Sequence, residues 1–162
     1  MDLIMIEAVN GAILSRKKIY SLCRCAAEWV SDTHTRQLFE TIAQSAADEL
    51  RQYLSLCPGS VLIEGAYVLR DSAEIFELSQ ANPDIHEKSE DSDENFLGVV
   101  LQEERNWYVK CSAMVESFRE PHLNNFFRQL RSGAARRCRW IQKEFIRVAG
   151  CYSESMNQCV LQ

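Results

Sequence analysis

The chain has 162 residues, of which 46% are hydrophobic and 25% charged, and its formal net charge is −5. This length and composition suit one soluble domain with a core of its own. The acidic balance disfavours a protein that grips nucleic-acid phosphates, and no apolar run approaches the length of a transmembrane helix. We therefore expect no nucleic-acid partner and no membrane partner. Met1-Asp2-Leu3 lacks the basic segment of a signal peptide, so a cytoplasmic location is expected.

Four segments repeat apolar residues every three or four positions, which predicts amphipathic helices. They run over about residues 3–30, 33–57, 94–118 and 122–149. Pro58-Gly59 ends the second segment, and Pro121 separates the third from the fourth. Between Pro58 and Asp93 lies a long connection, whose stretch 61–80 is either a fifth helix or a partly ordered crossover. Residues 151–162 are expected to form a loose tail.

The two halves of the sequence agree when one is shifted by 88 residues. Between Ile13 and Arg51 no gap is needed, and eight positions are identical where chance gives about two or three. The identical pairs are Tyr20/Tyr108, Cys23/Cys111, Glu28/Glu116, His34/His122, Phe39/Phe127, Ala46/Ala134, Ala47/Ala135 and Arg51/Arg139. The repeat predicts a duplicated helical hairpin.

Short links at Ser31-Asp32 and Arg119–Pro121 indicate that the helices of each hairpin are antiparallel neighbours. The predicted fold is therefore an all-α four-helix bundle within residues 1–150. It consists of a hairpin over about 3–57, a crossover over 58–93 and a second hairpin over about 94–149. Each hairpin would bury its apolar face against the other around a pseudo-two-fold axis.

Paired hairpins, a long crossover and a Tyr followed by a Phe-x-x-Leu-Ala-like pattern in each half resemble the ferritin-like superfamily, and its rubrerythrin-like branch in particular. The similar parts are residues 13–53 and 101–141, about half of the chain. Phe39-Glu40-Thr41-Ile42-Ala43 is similar to the start of that family's second helix. Phe127-Arg128-Gln129-Leu130 is similar to the start of its fourth.

The resemblance implies a di-metal site made of one Glu on the first helix of each hairpin and Glu-x-x-His on the second. The first-helix positions hold Ile13 and Leu101 here. The Glu-x-x-His positions hold Ala46 with Glu49 in one half, and Ala134 with Arg137 in the other. Apolar residues would leave a dication uncompensated in the core, so no cofactor is expected. Iron held by the displaced carboxylates of Glu49 and Glu104 is the alternative.

Four charged residues fall on inner helix faces in repeat-equivalent positions: Arg16 with Glu104, and Glu49 with Arg137. We predict that they form ion pairs in the space that the metals would fill, because a guanidinium matches a carboxylate geometrically. The alternative is that all four side chains snorkel from the bundle edges. A separation of about 9 Å between Arg16 and Glu49 along the axis disfavours a single tight cluster.

Other candidate residues have simpler interpretations. His34 and His122 lie in the hairpin turns, where a capping or turn role is expected. Glu103 adjoins Glu104 and Asp48 adjoins Glu49, and only one of two adjacent residues can point inward on a helix. The last helix carries a basic stripe, for which a solvated face is the preferred interpretation over an anionic partner: Arg131, Arg136, Arg137, Arg139 and Lys143.

Seven cysteines are present, with scattered spacing and no CxxC pair: Cys23, Cys25, Cys57, Cys111, Cys138, Cys151 and Cys159. This pattern favours small buried residues or free thiols in a reducing compartment over a zinc or dithiol site. Cys23 and Cys111 could face each other across the pseudo-two-fold axis, where core packing is expected rather than a disulfide.

These observations favour a non-catalytic bundle that has lost its metal ligands and has a structural or protein-interaction role, for which a protein partner or a homodimer is expected. The alternative is a ferritin-like oxidoreductase that uses the displaced carboxylates. A third interpretation is a carrier of a small ligand, with a connected cavity lined by Ile13, Ala46, Leu101 and Ala134.

Overall fold

The computed structural model describes residues 3–56 and 92–159, with the side chains of 8–53 and 93–150 among them. These residues form four α-helices, and none of them is in a strand. The helices are α1 (Leu3–Trp29), α2 (Thr33–Leu56), α3 (Ser92–Ser117) and α4 (Pro121–Cys159). The all-α prediction is confirmed. Among the described residues, no helix is both long and apolar enough to cross a membrane.

Polar residues fix the helix ends near the two hairpin turns. Asp32 caps α2, because its Oδ1 accepts a hydrogen bond of 2.8 Å from the backbone N–H of Thr35. Pro121 is the first residue of α4, a position where its fixed φ suits the helix and its missing N–H costs no bond. Asn124 donates from Nδ2 to the backbone oxygens of Val115 and Phe118, which ties the second turn to the end of α3.

The helices pack as two hairpins, α1 against α2 and α3 against α4, and the hairpins meet where α1 lies beside α3 and α2 beside α4. On α1, Lys18 lies 2.7 Å from Glu103 of α3. Ser15, earlier on α1, bonds to Lys110, later on α3. The contacts therefore run in opposite order along the two helices, so α1 and α3 are antiparallel.

The same order holds for α2 and α4. Thr35, early on α2, bonds to Glu144, and Ser45, further along α2, bonds to Arg137, which is earlier on α4. Each helix thus has antiparallel neighbours on both sides. In such a bundle the middles of all four helices lie at one level, and residues from all four can meet there.

The core consists of two apolar clusters, each built from all four helices. The first includes Ile19, Phe39, Leu97 and Ile141. The second lies nearer the other end of the bundle and includes Val9, Leu50, Trp107, Phe127 and Leu130. The residues between the clusters along each helix are therefore enclosed by apolar side chains on both sides.

Two predicted boundaries differ from the structure. α3 begins at Ser92, two residues before the predicted start. Helix α4 continues to Cys159, so the prediction of a loose tail is wrong for the backbone of residues 151–159. Gly150 does not end the helix, and no proline follows it to block the backbone hydrogen bonds. The predicted crossover, apart from Ser92 and Asp93, lies outside the described residues.

Candidate functional site

A layer of charged side chains separates the two apolar clusters. It consists of one residue from each helix: Arg16 on α1, Glu49 on α2, Glu104 on α3 and Arg137 on α4. Their side chains are 0%, 9%, 0% and 2% exposed. Side chains that snorkel would expose their charged ends to solvent. Because these four side chains are almost entirely buried, they do not snorkel from the bundle edges. We call these four residues the charged layer.

Glu104 lies at the centre of the contacts in the charged layer. Its Oε1 accepts hydrogen bonds from Arg16 Nη1 at 3.0 Å and from Arg137 Nε at 3.1 Å. Arg137 Nη1 donates to Glu49 Oε1 at 2.6 Å and to Ser45 Oγ at 3.0 Å. Arg16 and Arg137 therefore share the carboxylate of Glu104, and Arg137 also binds the carboxylate of Glu49.

The fourth contact closes the ring. Arg16 Nη1 lies 3.6 Å from Glu49 Oε2, which is an ion-pair distance although longer than a hydrogen bond. The expected separation of about 9 Å along the axis does not keep Arg16 and Glu49 apart, because both side chains are long enough to cover the rise between their Cα atoms. All four residues thus form one cluster of zero formal charge.

Two residues that the sequence interpretation did not single out shape the charged layer. The guanidinium of Arg16 lies over the ring of Trp107, 4.6 Å from its centroid, in a cation–π contact. A Cβ at Gly133 would lie 3.2 Å from Arg137 Nη1 and 3.7 Å from Glu49 Oε1. Gly133 therefore leaves room for the bond between Arg137 and Glu49. An inward aromatic and a mid-helix glycine carry no charge signal, so the sequence pattern does not distinguish them from ordinary core residues.

Burial and opposite charge act against each other on Glu49 and Arg137. Burial raises the pKa of Glu49 above its ordinary value, although both arginines act to lower it. Burial also disfavours the charged form of Arg137, but the carboxylates of Glu104 and Glu49 outweigh it and raise the pKa of Arg137. Arg137 therefore stays charged, and the carboxylates of Glu104 and Glu49 are the groups that hold it in the core.

Seven buried polar atoms in and beside the charged layer have no hydrogen-bond partner among the described residues. Five belong to the layer itself and two to aromatic residues of the second apolar cluster. They are Arg16 Nε and Nη2, Glu49 Oε2, Glu104 Oε2, Arg137 Nη2, Tyr53 Oη and Trp107 Nε1.

The neighbouring carboxylates point outward. Asp48 pairs with Arg51 at 2.5 Å, and both side chains are more than half exposed. Glu103 pairs with Lys18 at the bundle surface. Of each adjacent acidic pair, one residue therefore lies in the core and one at the surface. Among the described residues, no three His, Cys, Asp or Glu side chains are grouped so that they could hold a metal ion together.

The four positions proposed to line a ligand cavity lie on both sides of the charged layer. Ile13 and Ala134 belong to the second apolar cluster. Ala46 belongs to the first, and Leu101 packs against it. A connected cavity through these positions would have to cross the layer of ion pairs.

A second polar cluster, at the end of the bundle, ties α2 to α4. Glu144 accepts hydrogen bonds from Thr35 Oγ1 at 2.7 Å and Arg147 Nη2 at 2.6 Å, and His34 Nδ1 lies 2.8 Å from its Oε2. Arg147 also pairs with Asp32 at 2.5 Å. Burial alone would raise the pKa of Glu144, but these hydrogen bonds lower it to about 2. His34 thus bridges two helices, and Asp32 rather than His34 is the cap.

The thiols with described side chains are unpaired. Cys23 and Cys111 are buried, and Cys25 and Cys138 are partly buried. Burial raises the pKa of Cys111 to about 12, with Glu49 acting in the same direction. A thiol with so high a pKa is a poor nucleophile, which fits a packing role.

The predicted basic stripe on α4 is only partly at the surface. Arg137 points into the core, while Arg136, Arg139 and Lys143 are exposed.

No family model matches the chain, and neither the curated proteins nor the solved structures include a significant match to it.

Proposed function

We propose that the chain is a non-catalytic bundle of the ferritin-like type, in which ion pairs replace the metal centre, and that its role is structural or in protein interaction. The observation that carries the proposal is the charged layer. Both inward carboxylates are in contact with guanidinium groups, at a level of the core that lies between two apolar clusters.

Electrostatics supports this proposal over a di-metal site. Arg16 and Arg137 already compensate Glu49 and Glu104, so the cluster is neutral as it is. A divalent ion there would stand within a few ångströms of two guanidiniums in a medium of low dielectric constant. Metal sites in bundles of this type use several carboxylates and histidines to compensate the charge of the ions.

An interaction role is supported by large apolar side chains on the surface. Leu14 is 65% exposed, Val109 64% and Ile146 71%. Leu14 and Val109 are the chain neighbours of Ser15 and Lys110, which bond across the seam between α1 and α3. Leu14 and Val109 are therefore exposed on neighbouring helices, each next to a residue that joins α1 to α3, and a second copy of the chain would cover them.

The alternative, metal binding by displaced carboxylates, is favoured by one observation. Glu49 and Glu104 each keep one oxygen that has no hydrogen-bond partner among the described residues. These two oxygens are the ligands that an iron ion would use.

Metal analysis of protein purified without chelator decides between the two. We expect no stoichiometric iron, manganese or zinc, and no turnover of ferrous iron with oxygen. Glu49→Gln is the matched control for any metal that is found, because Glu49 is the more exposed of the two carboxylates and Glu104 still pairs with both arginines in this variant. Two irons per chain in the wild type, lost in this variant, would overturn the proposal.

Sedimentation velocity tests the homodimer. We expect a concentration-dependent dimer that Leu14→Ser/Val109→Ser weakens and Ile146→Ser, on α4, leaves unchanged. A monomer at all concentrations removes the homodimer and leaves a different protein as the partner.

A further inference from the structure

The unpartnered atoms of the core point to a ligand. Arg16, Arg137, Glu104, Trp107 and Tyr53 are all at most 2% exposed, yet each has at least one polar atom without a hydrogen-bond partner among the described residues. A buried polar group of this kind is strongly disfavoured unless it finds a partner, and native proteins satisfy nearly all of them.

The unpartnered atoms also lie close to one another. Arg16 and Arg137 both bond to Glu104, and Arg16 stacks on Trp107. The ring of Tyr53 lies 6.3 Å from the ring of Trp107, centroid to centroid, at a steep angle. The side chains that carry the unpartnered atoms are therefore neighbours, in the charged layer and at the adjoining part of the second apolar cluster.

The chemistry of these atoms decides what the ligand must be. The guanidinium nitrogens, the indole N–H of Trp107 and the hydroxyl of Tyr53 require acceptors, whereas Glu49 Oε2 and Glu104 Oε2 require donors. An oxyanion would satisfy only the donors and would face two carboxylates. A metal ion would satisfy only the carboxylates and would face two guanidiniums. Because the layer is already neutral, the ligand is neutral and both donates and accepts hydrogen bonds.

We propose that the charged layer, Tyr53 and Trp107 form a binding site for ordered water at the centre of the bundle. A buried water makes about three hydrogen bonds, so about two or three molecules would satisfy the seven atoms. The site is a hydrated ion-pair cluster enclosed between two apolar clusters.

Polar residues adjoin this site on the side nearest to solvent. Ser45 binds Arg137 Nη1 in the charged layer, and it also lines an open groove on α2 with Gln37, Glu40, Thr41, Gln44 and Asp48. Glu49, one turn further along α2, is the most exposed member of the layer. The part of the charged layer nearest to solvent therefore lies beside Ser45 and Glu49, outside both apolar clusters.

A crystal structure at high resolution tests the proposal directly. We expect density for water within hydrogen-bond distance of Arg16 Nε, Trp107 Nε1 and Tyr53 Oη. In solution, the indole N–H of Trp107, assigned with Trp107→Phe, should show a cross-relaxation signal to bound water. A dry site overturns the proposal, and so does an ion or a buffer molecule bound in place of water.

The variant Tyr53→Phe tests for bound water at the Tyr53 hydroxyl by equilibrium unfolding. If the hydroxyl binds water, its removal lowers the folding equilibrium constant by about threefold to tenfold. If the hydroxyl is dry and unpartnered, its removal raises that constant by about fivefold or more. Tyr108→Phe is the control, since Tyr108 is 40% exposed and should leave the constant unchanged. An unchanged or raised constant for Tyr53→Phe overturns the proposal.

The inference concerns the same layer as the proposed function but does not depend on it. Metal content tests the proposed function, whereas bound water and the Tyr53→Phe result test the hydrated site, so that failure of one is distinguishable from failure of the other.

Discussion

Glu104 is the residue on which the charged layer depends most. Its Oε1 binds both arginines, and its side chain is fully buried. Glu49 binds the same two arginines but is 9% exposed and has Ser45 beside it as a further partner of Arg137. Losing either carboxylate leaves one uncompensated positive charge, and losing Glu104 does so at the fully buried side of the layer.

We expect Glu104→Gln to lower the free energy of unfolding by about 3–5 kcal/mol, because it leaves a buried cation without its counter-ion. Urea denaturation followed by circular dichroism measures this loss. The adjacent Glu103→Gln removes the surface pair with Lys18 and should change stability by at most about 1 kcal/mol. Equal losses for the two variants would contradict a special role for Glu104.

Gly133 provides a test of how closely Arg137 and Glu49 approach α4. Replacing a glycine inside a helix by alanine usually stabilises by about 1 kcal/mol, which we expect for Gly98→Ala, where a Cβ meets nothing within 4 Å. At Gly133 the Cβ would press on Arg137 Nη1 at 3.2 Å. Gly133→Ala should therefore be less stable than Gly98→Ala by at least about 1 kcal/mol in thermal and urea unfolding. The two variants would be equal if the pair tolerated a methyl group.

For single residues, the sequence predicts which charged side chains face inward but not which hydrogen bonds and stacking contacts they make. Arg16 and Arg137 interrupt an apolar helical face, and the pattern reveals that directly. The bond from Arg137 to both carboxylates depends on side-chain conformations and on the space beside Gly133, which periodicity does not encode. The stacking of Arg16 on Trp107 is hidden for the same reason.

Among the helices, the contact between α2 and α4 has a pH dependence of predictable sign. Glu144 faces Thr35, His34 and Arg147, and its pKa falls from the ordinary 4.5 to about 2 on folding. A lowered carboxyl pKa contributes stability that is full above about pH 4.5 and is lost as the pH falls towards 2. Asp32, whose pKa is also lowered, acts in the same direction, while Glu49, whose pKa is raised, acts in the opposite one.

We therefore expect Glu144→Gln to reduce the free energy of unfolding by about 1–3 kcal/mol near neutral pH, with the difference from wild type closing below about pH 3. Urea unfolding at a series of pH values from 7 to 2 measures that difference. Glu116→Gln, at an exposed position on α3, should track the wild type throughout. A difference for Glu144→Gln that stayed constant with pH would contradict the lowered pKa.

The helices themselves are more predictable than their ends. Apolar residues at three-to-four spacing indicate all four, and Pro121 marks the start of α4 because proline suits the first turn. The end of α4 is not predictable in this way, because the apolar pattern fades near residue 149 while the backbone hydrogen bonds of the helix continue to Cys159. The bond between Glu144 and Thr35 is not predictable either, because it joins residues 109 apart that share no periodic pattern.

In the whole molecule, the charged layer can contribute to the stability of the bundle or to the choice of which helix faces pack together. Two apolar clusters flank it, and each is built from all four helices. Buried ion pairs recover little more than the free energy lost on removing the charges from water, so apolar side chains of similar size do as well for stability. We therefore expect the layer to fix which helix faces meet, since a shift of one turn would leave an arginine or a glutamate against an apolar neighbour.

Replacing the entire layer tests this idea against replacing one member. The variant Arg16→Met/Glu49→Leu/Glu104→Leu/Arg137→Met removes both signs of charge together and approximately keeps the side-chain volume. Single replacements each leave an unpaired buried charge and should cost about 3–5 kcal/mol, so additivity predicts an unfolded protein. We expect the fourfold variant instead to fold with a free energy of unfolding within about 2 kcal/mol of wild type. Circular dichroism and urea denaturation of the fourfold variant, beside Arg16→Met alone, measure this non-additivity. If Arg16→Met is strongly destabilised and the fourfold variant is unfolded, as additivity predicts, the ion pairs stabilise the bundle outright, and the layer is a source of stability rather than a determinant of which faces pack.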